Sequence, residues 1–167
     1  MQHRALPWRR WGAQLAALVV LLVACLGTGA IGAAFTAVSV GDWYATLRLP
    51  AWTPPNWLFG PVWTALYLAM AMAAWWAWRS AGWIASRRAL AWFGVQLILN
   101  AAWSGFFFTL RSPGGALGVI VLLWWAIAAT IRSFARLSTV AALLLVPYLL
   151  WVTYAMALNA AIWRLNS

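Results

Sequence analysis

The chain has 167 residues, of which 66% are hydrophobic and only 7% are charged. A soluble domain carries about 25% charged residues, so this composition excludes a soluble globular protein and indicates a membrane protein. The net charge of +10 does not indicate a nucleic-acid partner, because the arginines flank apolar runs instead of lining one water-facing surface.

Five long stretches free of charged residues divide the chain, and each holds 20 to 31 residues. A helix crosses the bilayer core with about 20 apolar residues. The stretches therefore predict an all-α fold, an integral membrane bundle of five transmembrane helices in a single domain, 1–167. We expect helices near 11–38, 60–79, 88–110, 114–134 and 139–165, and an aromatic, proline-rich loop over 39–59.

The basic residues, all arginine, predict the orientation of this bundle. If five helices cross the membrane, three of the arginines lie on one side, namely Arg48, Arg111 and Arg164. The other side carries Arg4, Arg9, Arg10, Arg79, Arg87, Arg88, Arg132 and Arg136. Because arginine is enriched in cytoplasmic loops, we expect a cytoplasmic N-terminus and an outside C-terminus. The arginine-only usage is typical of a bacterium, so we expect the bacterial cytoplasmic membrane, with an outer membrane as the alternative.

The first predicted helix becomes rich in small residues in its second half, which includes Gly27, Gly29, Gly32 and Ala33. Small residues let helices approach closely in lipid, and they also leave room for a ligand. Close packing is the preferred interpretation and a ligand wall is the alternative.

The segment after this helix combines four tryptophans with four prolines between Trp43 and Tyr67. Proline lacks an N–H and its ring clashes with the preceding helical turn, so the segment is predicted to be rigid and non-helical. In a membrane protein such a segment caps the bundle, lines a cavity or rests in the headgroup layer.

Polar and aromatic side chains mark one face on each of two later helices. Gln96, Asn100 and Ser104 recur every four residues, so they share a face of the third helix. Polar groups at membrane depth are costly unless paired, so this face should point inward, either for contacts between helices or toward a ligand. On the fifth helix Pro147 predicts a kink, and Trp151 lies on the face that follows it.

Ordinary catalytic chemistry is excluded by two residue counts. The chain has one acidic residue, Asp42, and one histidine, His3. A carboxylate pair, a Ser-His-Asp triad and a His/Cys/Asp/Glu metal cluster therefore have no residues to form them. We expect no metal, no required cofactor and no acid–base enzyme, and Asp42 should cap a turn or pair with Arg48. The remaining aromatic and small residues favour binding of a flat apolar molecule.

Four sequence blocks carry a resemblance to a known family. They are WYxxLxxPxWTPPxWxFGPVWTxLY over 43–67, QLxLNxxWSxxFF over 96–108, PYLLW over 147–151 and LNxxIWxLN over 158–166. Together the blocks resemble the tryptophan-rich sensory protein / translocator protein (TspO/MBR) family across nearly the whole chain. The resemblance implies a five-helix homodimer in the lipid bilayer. It also implies binding of protoporphyrin IX or haem, and of isoquinoline and benzodiazepine-type ligands.

The resemblance also implies a ligand-binding site. Matched position by position, its residues are Trp43, Leu58, Phe59, Gly60, Trp63, Asn100, Trp103, Trp151, Ala155 and Leu158. The cholesterol motif of animal members needs a tyrosine where this chain has Ala160, so cholesterol is not expected as a ligand.

Three functional interpretations remain open on sequence alone. The first is a tetrapyrrole-binding sensor, carrier or scavenger. The second is light- and oxygen-dependent porphyrin degradation, a property that the resemblance implies for some bacterial members, in which Trp63 and Trp151 would take part. The third is a structural or partner-binding membrane protein.

Overall fold

The structure, a computed structural model, describes the backbone over 7–167 and the side chains from residue 11 onward. Over this range the protein is helical, without strands. Its elements are α1 (Pro7–Val40), α2 (Trp43–Thr46), α3 (Asn56–Ser104), a π-helical turn (Gly105–Thr109), α4 (Pro113–Ala135), α5 (Thr139–Leu143) and α6 (Val146–Leu165). The side chains of His3, Arg4, Arg9 and Arg10 lie outside the described residues.

The long helix α3 is a hairpin of two arms, 56–81 and 83–104, joined at Gly82. Gly82 has φ 75° and ψ 174°, and glycine adopts this left-handed region because it has no Cβ. The two arms are antiparallel, since the Tyr67 hydroxyl on the first reaches Asn100 on the second over 2.5 Å. The prediction of a connection over 80–87 was wrong, because all of these residues except Gly82 continue the arms.

Five membrane spans follow from this hairpin. Four helical stretches are long and apolar enough to cross a bilayer, and one of them, Asn56–Thr109, has 54 residues. At 1.5 Å per residue that stretch would extend about 80 Å, more than twice the roughly 30 Å of a hydrocarbon core. Because Gly82 divides it, the stretch supplies two spans. The predicted all-α membrane bundle of five helices is confirmed.

The last span is broken into α5 and α6 immediately before Pro147. α5 ends at Leu143, α6 begins at Val146, and Pro147 occupies its first turn. A proline at that position has no N–H to give to the preceding turn and fits where the N–H is free in any case. The predicted bounds 139–165 agree with the structure, and the kink expected at Pro147 takes the form of a short interruption between α5 and α6.

The loop between the first two spans is shorter than predicted. α1 continues to Val40, α2 forms one helical turn, and α3 begins at Asn56, so only 41–42 and 47–55 lack helix. Pro55 precedes α3 with an extended backbone, φ −61° and ψ 143°. Pro61 lies inside α3 and not in its first turn, where its missing N–H removes one helical hydrogen bond.

The bundle core is formed where the first arm of α3 packs against its neighbours. Four alanines on this arm are fully buried, namely Ala71, Ala73, Ala74 and Ala77. Their small size allows close approach of the helices. At the Gly82 end, Phe93 of the second arm stacks on Phe134 of α4, with ring centroids 6.1 Å apart.

Candidate functional site

A cavity of about 620 Å³ opens between α1, both arms of α3, the π-helical turn and α6. Its α1 wall consists of small side chains, including Gly29, Gly32 and Ala33. A Cβ on Gly29 would lie 2.7 Å from Cε2 of Tyr67, and one on Gly32 would lie 3.2 Å from Oγ of Ser104. The sequence left open whether these glycines allow close helix packing or form a cavity wall, and in the structure they do both.

Aromatic rings form much of the opposite wall. Trp63 stacks on Tyr67, with centroids 5.6 Å apart and an interplanar angle of 30°. Trp103 lies 5.7 Å from Phe107, and Phe107 lies 4.9 Å from Phe108. All five residues line the cavity. Such rings present flat apolar faces at little conformational cost, which suits a flat apolar ligand.

A buried polar trio lies beside the cavity, and two of its members, Tyr67 and Asn100, belong to the cavity lining. The Tyr67 hydroxyl donates to Oδ1 of Asn100 over 2.5 Å, and Nδ2 of Asn100 donates to the Tyr148 hydroxyl over 2.9 Å. Asn100 is 2% exposed and Tyr148 is fully buried. The amide thus joins the first arm of α3, the second arm and α6, and it satisfies groups that would be costly unpaired.

A second amide joins three elements nearer the other end of the cavity. The indole N–H of Trp103 donates to Oδ1 of Asn159 over 2.9 Å, and Nδ2 of Asn159 donates to the Pro113 carbonyl over 2.8 Å. The bonds connect the second arm of α3, α6 and the start of α4. They fix the orientation of the Trp103 ring, which faces the cavity.

The loop 47–55 is held against α6 by contacts between residues far apart in sequence. The backbone N–H of Arg48 donates to Oδ1 of Asn166 over 2.9 Å, and Nδ2 of Asn166 donates to the Arg48 carbonyl over 3.0 Å. The Tyr154 hydroxyl donates to the Trp52 carbonyl over 2.9 Å. From the predicted loop over 39–59, the cavity is lined by Val40, Tyr44, Asn56 and Phe59 but not by 47–55.

Asp42 forms an ion pair with Arg111, at 3.0 Å between Oδ2 and a guanidinium nitrogen. It precedes α2 without a side-chain capping bond, so both expectations for it, a capped turn and a pair with Arg48, were wrong. No charged side chain is among the residues that line the cavity. Among the described residues, no group of three or more His, Cys, Asp or Glu side chains is arranged to hold a metal ion.

The structure brings seven of the ten predicted site residues to the cavity: Phe59, Gly60, Trp63, Asn100, Trp103, Ala155 and Leu158. Trp43 packs edge-on against Phe107, and Trp151 packs edge-on against Phe59 at 5.8 Å. Neither they nor the half-buried Leu58 line the cavity. Ligand binding by the ten residues stays a prediction.

Several lining residues were missed in the sequence. The largest group lies on α1, where Leu26, Ala30, Thr36, Ala37 and Val40 join the small residues. Others are Tyr44, Tyr67, Phe107, Phe108 and Ile162. Helical spacing carries a signal for two of them, because Tyr67 follows Trp63 and Phe107 follows Trp103 by four residues.

Comparison with known proteins gives one consistent result. A sequence profile of the TspO/MBR family matches residues 18–164. The Tryptophan-rich protein TspO of Chlorobaculum tepidum is 43% identical over 155 residues, 92% of this chain and 98% of that one. The Tryptophan-rich sensory protein of Cereibacter sphaeroides is 38% identical over 151 residues, 90% and 92% of the two chains. The Translocator protein of Homo sapiens is 40% identical over 126 residues, 74% and 75% of the two chains.

Proposed function

Because this chain belongs to the TspO/MBR family, we propose that it binds tetrapyrroles, such as protoporphyrin IX or haem, within the membrane. Its role is that of a sensor, carrier or scavenger. The observation that supports this function is the cavity of about 620 Å³ with aromatic walls and no charged lining residue. A cavity of this size lies within the range of small-molecule sites, about 300–1,000 Å³. Isoquinoline and benzodiazepine-type molecules are aromatic and largely apolar as well, so they are expected to compete.

The wall chemistry supports a particular orientation of the ligand. The apolar ring system would lie against Trp63 and Trp103, whose rings line the cavity. Carboxylates are costly to bury without a partner, and the lining residues include no cation. The propionates of a porphyrin should therefore stay at the mouth, where Asn56 and Gly60 are exposed lining residues and Arg48 is close in the chain.

The binding proposal is tested by titrating the detergent-purified protein with protoporphyrin IX in the dark and without oxygen. Saturable tryptophan quenching with a Soret shift is expected. Trp63→Ala should weaken binding by about 1–3 kcal/mol, because it removes a ring from the cavity wall. Trp151→Ala should weaken binding by less, since Trp151 does not line the cavity and only packs against the lining residue Phe59. The matched control is Trp125→Ala, because Trp125 is 65% exposed and does not line the cavity.

The result that would contradict the proposal is the absence of saturable binding in a protein whose helix content and elution volume are normal. Equal losses of affinity in the Trp63 and Trp125 variants would show that the cavity is not the site.

Light- and oxygen-dependent porphyrin degradation is the second candidate function. It is supported by the two indoles on the cavity wall, Trp63 and Trp103, which are oxidisable groups next to a bound ligand. After the dark titration, light and air are admitted. Loss of the Soret band that is slower in Trp63→Phe would favour degradation, while a stable band would favour a sensor or carrier.

A homodimer is proposed as the assembly, because the family resemblance implies one. Gly105, a small residue that could pack against a second copy, faces α1 instead, since a Cβ on it would lie 3.6 Å from the Phe35 ring. Light scattering of the detergent complex gives the protein mass directly. A mass of one chain at micromolar concentration would exclude the dimer under those conditions.

A further inference from the structure

Five exposed arginines lie at the Gly82 end of the bundle. They are Arg79, Arg87, Arg88, Arg132 and Arg136, and we name them the arginine cluster. The first three flank Gly82 within six residues on either side. The other two are in the last turn of α4 and directly after it. Phe134, between them, stacks on Phe93 of the second arm, so both groups lie at the same end of the bundle.

No carboxylate of the chain balances this charge. The chain has a single acidic residue, Asp42. Asp42 is bound to Arg111 over 3.0 Å, next to the loop end of α1 and far from Gly82. Five like charges at one end repel each other unless anions from outside the chain lie between them. This charge imbalance favours an anionic partner for the surface.

The surface is also apolar between its charges. Trp83 is 65% exposed and Ile84 is 81% exposed, both directly after Gly82. The guanidinium of Arg79 lies 4.9 Å from the ring centroid of Trp75. Tryptophan and arginine together are typical of the layer where acyl chains meet headgroups. An acidic protein segment would leave the apolar side chains without a partner, whereas a phospholipid offers an anionic group and an acyl chain side by side.

The residue type identifies the anionic group. All eleven basic residues of the chain are arginine and none is lysine. A guanidinium binds a phosphate through two parallel N–H groups, while an ammonium acts as a point charge. We propose that the arginine cluster binds the phosphate headgroups of anionic phospholipids in the leaflet at the Gly82 end.

The test measures lipid binding by native mass spectrometry of the detergent-purified full chain, with phosphatidylglycerol and phosphatidylcholine offered in competition. The wild type should retain phosphatidylglycerol preferentially. Each arginine near an anionic surface contributes about fivefold, so Arg87→Gln/Arg88→Gln should lower the preference about 25-fold. The control variant Arg48→Gln/Arg164→Gln removes the same amount of charge at the other end of the bundle. Its preference for phosphatidylglycerol should stay within about fivefold of the wild type. The preference should also fall as salt is added.

Three results would overturn the proposal. A wild type without preference for phosphatidylglycerol would leave an acidic protein segment as the source of counter-charge. Equal losses in the two double variants would show only a dependence on net charge. Finally, Arg87→Lys/Arg88→Lys keeps the charge but removes the paired N–H groups, so it should lower the preference by less than the glutamine variant does. A loss as large as that of the glutamine variant would show damage to the helix hairpin instead.

Discussion

The trio of Tyr67, Asn100 and Tyr148 gives a prediction that is worked out from its geometry. Asn100→Leu replaces the amide by an apolar side chain of similar size and removes both hydrogen bonds, at 2.5 and 2.9 Å. Hydrogen bonds between membrane helices contribute about 0.6 kcal/mol on average and up to about 1.7 kcal/mol. The substitution also leaves two phenol hydroxyls without their partner, which costs more than the bonds themselves. We expect a loss of about 2–3 kcal/mol in the free energy of unfolding.

A double-mutant cycle in detergent solution measures this contribution. The free energy of unfolding is obtained for the wild type, Tyr67→Phe, Asn100→Leu and the double variant, for example by titration with a denaturing detergent. Tyr67→Phe alone should cost about 0.6–1.7 kcal/mol, since it removes one bond. In the Asn100→Leu background the same change should cost nothing or restore stability, because it removes an unpaired hydroxyl.

The reasoning is refuted if Tyr67→Phe costs the same in both backgrounds, because the two residues would then not be coupled. Tyr154→Phe is the matched control. Its hydroxyl bonds to the Trp52 carbonyl and makes no contact with the trio, so its effect should add to that of Asn100→Leu without coupling.

Two further predictions concern residues outside the trio. Gly29→Ala should lower the free energy of unfolding by about 1–3 kcal/mol by overpacking, because its Cβ would lie 2.7 Å from the Tyr67 ring. Gly27→Ala has no atom within 4 Å and should be neutral or stabilising. If thermal melting in detergent shows equal losses of stability in the Gly29→Ala and Gly27→Ala variants, the close contact with Tyr67 is not the cause. Asp42→Asn should change stability by about 0–1 kcal/mol, since its pair with Arg111 is exposed, and a larger loss would show another role.

The number of membrane spans could be predicted because charges are excluded from the bilayer core, and the arginines and Asp42 divide the chain into apolar stretches. The bounds of α3 could not be predicted in the same way. Three arginines near residue 82 suggested a connection over 80–87. A long arginine side chain can reach the headgroup layer while its backbone stays helical, so charge alone does not end a helix. Only Gly82, at φ 75°, interrupts this one.

Part of the candidate site was predictable from the sequence blocks. Trp63 and Asn100 line the cavity, as the sequence blocks implied. The role of Gly29 was not decided by the sequence, because small residues at an interface and at a cavity wall look the same. The partner of Asp42 was also out of reach. It lies 69 positions away in the chain, at Arg111, while sequence proximity favours Arg48.

The two ends of the bundle differ in how their polar and charged groups are paired. This difference underlies the two proposals, a ligand in the cavity and phospholipids at the arginine cluster. At the loop end, Asp42 binds Arg111, Asn166 binds the Arg48 backbone, and these contacts join segments more than 60 residues apart. Such contacts hold the cavity walls in place before a ligand arrives, which lowers the ordering cost of binding. At the Gly82 end the arginine cluster has no carboxylate of its own chain to bind. Under the two proposals, the loop end would hold a ligand within the protein, and the Gly82 end would bind the surrounding lipids.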